Sequence, residues 1–315
     1  MTKRFYITTA IDYVNGQPHL GHAYEKVITD VIARVERALG KDVFFLTGLD
    51  EHGQKVQQAA QAEGKASQQY CDDLAQDWKR FAASLKLSND DFIRTSEQRH
   101  KTVVQAILAK LHQSGHFYKA QYKGFYSTRQ ETFLTEKDRQ PDGKFDPIYG
   151  EVIELVEENY YFKLREQQQW LIDYIEQNPG FIAPSYRRNE VLGFLKNNEL
   201  EDLCITRPAA RLSWGIPVPF DPAFVTYVWF DALVNYITVP AAYGDLEVVK
   251  ALNLEQSTLA SLPTFNQGLR LWPGDVHMIG KDILKFHAVY WPIMLKAMGL
   301  PLPKQIHVHG FWQKD

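Results

Sequence analysis

Phe5 to Thr9 are all aromatic or β-branched and predict a short buried strand. A turn at Asn15-Gly16-Gln17-Pro18 follows, after which Val27, Ile28, Val31, Ile32 and Val35 recur at helical spacing. Gly40 ends that run, and Val43 to Thr47 reads as a second strand. Strand, helix, strand in this order predicts the βαβ unit of a parallel, doubly wound α/β sheet, whose ligands gather at the carboxyl ends of the strands. The first strand-to-helix turn is therefore where chemistry is to be sought.

Two further helices are predicted between Lys65 and Leu85 and between Arg99 and Ser114. The character changes at Tyr118. From there to about Phe162 aromatics, Gly, Asp and Glu follow one another without helical periodicity, which predicts a small β-rich insertion. Helical spacing returns in Trp170 to Ile175 and in Val191 to Leu195, Pro208, Pro217, Pro219 and Pro222 punctuate a loop-rich return, and core-like segments run from Val225 onward.

Composition narrows this picture only slightly. A chain of 315 residues, 45% of them apolar, can bury one large core in one elaborated domain or in two. The net charge of -3 provides no basic field, so contact with nucleic acid would rest on a local patch. Cys71 and Cys204 lie far apart and outside any CxxC or metal-like spacing, which argues for a reducing compartment and a cytoplasmic protein. No apolar run approaches the roughly 20 residues needed to cross a bilayer, and no signal-peptide pattern opens the chain, so neither export nor a membrane partner is expected.

Pro18-His19-Leu20-Gly21-His22 stands between the first strand and the first helix. Two imidazoles three residues apart can face the same way beside free backbone N–H groups, where the helix N-terminus favours anions and imidazole can donate to phosphoryl oxygens. Gly21 leaves room for a base or ribose. Two structural histidines would produce the same pattern, and a metal site built from His19, His22 and His52 is a further reading, although the HExxH spacing of helical metal pairs is absent. In Thr47-Gly48-Leu49-Asp50-Glu51-His52-Gly53, Asp50 falls at a strand end where a carboxylate can meet an ammonium group, or else it caps the helix starting near Lys55.

Within Tyr227 to Tyr236, the residues Trp229, Ala232 and Tyr236 share one helical face. Such a stripe serves as plain core, or its small residue between two amphipathic aromatics leaves a lined hole. Ile283, His287 and Trp291 repeat the arrangement beside Gly280-Lys281-Asp282, where Lys281 can hold phosphate and Asp282 ribose hydroxyls.

With these four blocks in hand, the chain resembles the class I aminoacyl-tRNA synthetases and, within them, the methionyl-tRNA synthetases, over essentially all 315 residues. His19 to His22 is similar to the HIGH signature; the other three blocks match ones specific to the methionine enzymes. The resemblance implies methionine contacts from Ala10, Ile11, Tyr13, Asp50, Trp229, Ala232, Tyr236, Ile283, His287 and Trp291, with Asp50 taking the amino group. It implies ATP contacts from His19, Gly21, His22, Glu25, Gly280, Lys281, Asp282, Gly310 and Phe311, of which His19, His22 and Lys281 would stabilise the reacting phosphate. The expected substrates are L-methionine, ATP with Mg²⁺, and the acceptor end of tRNA(Met).

The resemblance also implies a domain plan: 1–115 and 226–315 as halves of a nucleotide-binding catalytic domain, with a connective domain inserted at 116–225. Three departures stand out. Asp12 replaces the family's usual proline or tyrosine and alters the pocket entrance. Ser127, Gln130, Asp146 and Tyr149 occupy the positions of a zinc knuckle within about 122–162 and supply no thiolate, so no zinc is expected. The sequence stops at Asp315, short of the family's KMSKS loop and anticodon-binding domain, so slow activation by a truncated piece is expected. An HxGH adenylyltransferase and a non-catalytic methionine or tRNA sensor are the rival readings.

Overall fold

The computed structural model of the chain describes residues 3–14, 16–127, 129, 132–134, 136–226, 228–254 and 268–311. Asn15, Gln130 and Tyr227, named above, lie outside the described residues. The central sheet begins with β1 (Arg4–Thr9), β2 (Asp12–Tyr13), β3 (Asp42–Asp50) and β4 (Asp91–Arg94), separated by helices α1 (Leu20–Ala38), α2 (Gln54–Ala62) and α3 (Ser67–Ser84) and followed by α4 (Gln98–Gln113). The middle of the chain adds β5 (Phe117–Ser127), β6 (Thr132–Leu134), β7 (Val152–Phe162), α5 (Gln168–Gln177), β8 (Ile182–Ala183), α6 (Ser185–Asn197), β9 (Leu203–Cys204), β10 (Thr206–Pro208), β11 (Ile216–Pro217) and β12 (Phe224–Thr226). Then come α7 (Trp229–Leu233), α8 (Asn235–Ala242), α9 (Leu246–Ala251), β13 (Val276–Gly280), α10 (Trp291–Met298) and β14 (Ile306–His309).

The central sheet has seven strands in the order β2-β3-β1-β13-β14-β8, with β4 also paired to β3, and every pairing in it is parallel. Phe5 to Thr9 are buried without a break, as a strand covered on both faces requires. Their side chains alternate: Phe5 and Ile7 pack with Ala33 and Ile32 of α1, whereas Tyr6 joins the large core built by α4, α8 and α10. From β1 the chain passes through α1 to β3 on one side, while β13 pairs on the other side, with Ile7 opposite Val276. The carboxyl end of β1 is therefore the topological switch point, where a ligand crevice opens in such sheets.

The apolar spacing of α1 marks a helix, but not its buried face. Val27, Val31 and Val35 are exposed, and Glu25, Lys26, Thr29, Asp30 and Ala33 are buried. The polar groups are tolerated inside because they are paired: Lys26 with Asp12, Asp30 with Arg34 and Ser88, and Glu25 with His309.

The β-rich insertion is a four-stranded antiparallel sheet, β6-β5-β7-β9, in which β5 and β7 pair continuously from Phe117 opposite Phe162 to Ser127 opposite Val152. A three-stranded sheet, β10-β12-β11, adjoins it in sequence. The span 116–225 is not insertion throughout: β8 joins the central sheet, with Ile182 opposite Ile306 of β14. A two-residue strand is too short to show a period, which is why the sequence pattern passes over it.

Candidate functional site

His19 is the N-cap of α1 and His22 its third helical residue. The Gly21 N–H donates to His19 Nδ1 at 3.1 Å, and the His19 backbone N–H donates to His22 Nδ1 at 3.2 Å. Each ring uses Nδ1 as acceptor, so each neutral imidazole carries its proton on Nε2. The rings stack with centroids 3.7 Å apart, and His22 meets the edge of Trp78 at 4.8 Å. Burial pushes His22 down to about 4, so it is a neutral donor at physiological pH. The pair thus presents two N–H donors at a helix N-terminus, beside the switch point.

At the carboxyl end of β3, Asp50 is buried. It does not cap the next helix: α2 begins after Gly53, which has φ 128 and is its N-cap, and no side chain caps that end. Only glycine adopts this backbone readily, and the Gly53 N–H donates to the Trp214 carbonyl at 3.1 Å. Glu51 is fixed by Arg94 at 2.7 Å and by Ser96, and its own carbonyl accepts from Trp214. At Gly48 an added Cβ would overlap the Ile93 carbonyl, so glycine lets β4 approach β3.

The opposite wall is aromatic. Trp229 stacks on Phe286, with centroids 3.4 Å apart and planes 7° from parallel. His287 Nδ1 lies 3.0 Å from the Ile283 carbonyl and must donate to it, which leaves Nε2 to accept from the Tyr236 hydroxyl at 2.8 Å. Burial pushes His287 down to about 4. Beneath Tyr236, His277 stacks at 4.2 Å, and Trp291 is fully buried with its ring 5.8 Å from Tyr236. The helix expected through Trp229 and Tyr236 breaks at Val234, between α7 and α8, and a π-turn at Phe286–Tyr290 precedes α10.

These walls enclose one cleft of about 1200 Å³. It is lined by His19, Gly21, His22, Glu25, Gly280, Asp282, Gly310 and Phe311 on the expected ATP side. On the expected methionine side it is lined by Ala10, Ile11, Tyr13, Asp50, Trp229, Ala232, Tyr236, Ile283 and His287. Two expected residues do not line it: Trp291 stands behind Tyr236, and the Lys281 Nζ lies over the Phe311 ring, 4.4 Å from its centroid. Asp12 lines the cleft, buried and ion-paired with Lys26.

His309 went unremarked in the sequence pattern and donates to Glu25 at 3.0 Å. Burial works against the charge on His309, but the bonds to Glu25 and the Gly310 carbonyl outweigh it and raise its affinity for a proton. Burial likewise raises Glu25.

Among the described residues no group of three His, Cys, Asp or Glu could hold a metal ion. At the knuckle positions the Ser127 hydroxyl donates to the Tyr149 carbonyl at 2.6 Å, and Asp146 accepts from Ile148 N–H at 2.9 Å and from Gln140 at 2.9 Å.

The buried neutral histidines set a pH dependence. In the unfolded chain His287 takes up its proton near its ordinary value, and in the folded chain only near 4. Its contribution is complete above the unfolded value and is lost as pH falls from about 6.5 toward 4, by up to about 1.4 kcal/mol per pH unit. His22 adds to this with the same sign. His309, with its raised proton affinity, acts in the opposite sense, but His22 and His287 outweigh it, so urea titrations at pH 7.5 and 5.5 should show lower stability at the lower pH; equal stability would contradict this balance.

The chain is thus an α/β protein with a doubly wound parallel sheet and paired histidines at its switch point, where ligands bind in sheets of this kind. A protein-family model described as "tRNA synthetases class I (M)" matches residues 5–154 and 147–315, and the chain belongs to that family. It is 46% identical over 313 residues to a methionine–tRNA ligase of Rhizobium meliloti, covering 98% of this chain and 57% of the relative. To that of Thermotoga maritima it is 45% identical over 311 residues, covering 98% and 46%. The chain thus spans about half the length of the curated relatives it matches. Among solved structures, Mycobacterium tuberculosis methionyl-tRNA synthetase in complex with methionyl-adenylate superposes with a TM-score of 0.85 at 40% identity, over 98% of this chain and 57% of that one.

Proposed function

We propose that this chain activates L-methionine with ATP to methionyl-adenylate and transfers the methionyl group to tRNA(Met). The observation that carries this reading is that the paired His19 and His22 donors and the aromatic wall of Trp229, Tyr236 and His287 open into the same cleft. An adenylate needs that adjacency. The Mycobacterium relative, solved with methionyl-adenylate, aligns over nearly the whole chain.

On this reading Asp50 pairs with the substrate ammonium, and the thioether lies among Tyr13, Trp229, Tyr236 and His287, where sulfur meets aromatic edges favourably. The methionine carboxylate attacks the α-phosphorus and pyrophosphate leaves; a hydroxyl of the terminal ribose of tRNA(Met) then attacks the methionyl carbonyl, losing its proton, and AMP leaves. No covalent enzyme intermediate is required. His19 and His22 donate their Nε2–H groups to phosphoryl oxygens as charge develops, and Lys281, released from Phe311, adds its cation. Mg²⁺ enters with the ATP phosphates as part of that substrate. Gly280 suits the nucleotide side, because a Cβ there would come within 2.6 Å of Asp282 Oδ1 and displace it. The reading further includes no zinc, a cytoplasmic location, and a catalytic domain formed by 1–115 and 226–315 together with β8, which joins its sheet from within the 116–225 span. No helix among the described residues is long and apolar enough to cross a membrane.

Calorimetric titration with methionine and with leucine tests the pocket. Clear preference for methionine is expected, and equal affinity for the two would refute the assignment.

A further inference from the structure

Behind the cleft lies a chain of buried ionisable groups. Asp231, in the first turn of α7, is fully buried. One of its oxygens is 2.6 Å from His52 Nδ1 and the other is 2.6 Å from His100 Nε2. None of the three side chains is more than 1% exposed. None of them lines the cleft.

Both ring nitrogens of His100 are held: Nε2 by Asp231, and Nδ1 by the Thr238 hydroxyl at 3.0 Å, an oxygen that also lies 3.1 Å from the Val234 carbonyl. Burial works against the charge on Asp231, but His52 and His100 outweigh it and hold the carboxyl below its usual range. The Nε2 of His52 finds no hydrogen-bond partner, so the bond to Asp231 is what orients that ring, which meets the edge of Trp214 at 5.3 Å.

A buried polar cluster of this kind adds little net stability over a packed apolar substitute, and its best-attested use is to fix register. Here the elements it joins are the two walls of the pocket. His52 follows Asp50 by two residues at the end of β3. Asp231 stands between Trp229 and Ala232, and Thr238 follows Tyr236 by two residues on α8. The carboxylate grips β3 through one oxygen and α4 through the other.

We infer that His52, Asp231 and His100 form a positioning device that sets the distance between Asp50 on one wall of the amino-acid pocket and Trp229 to Ala232 on the other. This rests on the methionine reading of the pocket. These residues are positioning residues, acting through the groups that touch substrate. Displacing such a group by about 1 Å can cost up to about a hundredfold.

The test compares His52→Leu with His52→Asn, whose amide N–H takes the place of the Nδ1–H, by calorimetric affinity for methionine and for ATP alongside thermal stability. His52→Leu should weaken methionine binding at least about tenfold and leave ATP affinity within about twofold, and His52→Asn should restore most of the loss. Unchanged methionine affinity in folded His52→Leu overturns the inference. So does a parallel fall for both ligands, which would mark a general structural role. Should His52→Leu not fold, the ¹⁵N resonances of His52 and His100 in the unaltered chain decide. They should shift on adding methionine and not on adding ATP, and the absence of a methionine-specific shift overturns the inference. An unaltered chain that binds no methionine would instead overturn the pocket reading, and this inference with it.

Discussion

Asp50→Ala should abolish methionine binding while leaving the chain folded. The carboxylate sits buried at the carboxyl end of a central strand and lines the cleft. Its alternative role as a helix cap is taken away by Gly53, which stands at that position without a side-chain bond. Removing one partner of a desolvated charge pair costs about 2 to 5 kcal/mol, much of it from the ammonium left unpaired. That is a loss of about 30-fold to 5000-fold in affinity. Calorimetry on the folded variant provides the measurement, and an affinity equal to that of the unaltered chain would leave Asp50 without a ligand role.

The second large effect should fall on rate and spare binding. His19→Ala and His22→Ala each remove one preorganised N–H donor from the start of α1, and loss of one such donor commonly lowers the rate by about 10² to 10³. Methionine affinity should hardly change, because the aromatic wall and Asp50 are assembled elsewhere. His19→Ala also deletes an N-cap, a stability loss of about 1 kcal/mol that a melting experiment separates from the rate. His22, held neutral down to about 4, should impose no fall in rate between pH 6 and 8. A variant retaining full exchange would show that the imidazoles shape the helix end and nothing more.

The sequence made the βαβ start legible because a strand buried on both faces and a regular helix leave distinct periods. The switch point followed from element order alone. Chemistry at His19, Asp50, Trp229 and His287 could be singled out because each sits in a short block of unusual composition beside a predicted turn. The inner face of α1 could not be read: apart from Ala33 its buried residues are Glu25, Lys26, Thr29 and Asp30, and the partners Asp12, Ser88 and His309 lie outside the helix. A hydrophobic pattern points to the wrong face when polar burial is offset by pairing at long range. His100 carried no signal at all, lying in an ordinary helix 131 residues from Asp231. Phe286, which stacks on Trp229, was equally silent, since its partner lies 57 residues away and nothing in its own segment points to it.

The positions of Lys281 and Trp291 carry a related lesson. The family resemblance implied both in the site, Trp291 on a helical stripe and Lys281 in a Gly-Lys-Asp turn, yet Trp291 supports Tyr236 from behind and Lys281 rests on Phe311. A periodic stripe selects a face, and the depth of each residue behind that face depends on the neighbours that pack in front.

The account's central claim is that one cleft joins methionine to the α-phosphate of ATP, and methionine-dependent exchange of labelled pyrophosphate into ATP tests it most directly. With this chain, ATP and Mg²⁺, the account predicts exchange that appears on adding methionine, does not appear with leucine, and falls about 10² to 10³ in His22→Ala. Exchange that ignores methionine would contradict it in favour of an adenylyltransferase, and a chain that binds both methionine and ATP yet exchanges nothing would contradict it in favour of a sensor.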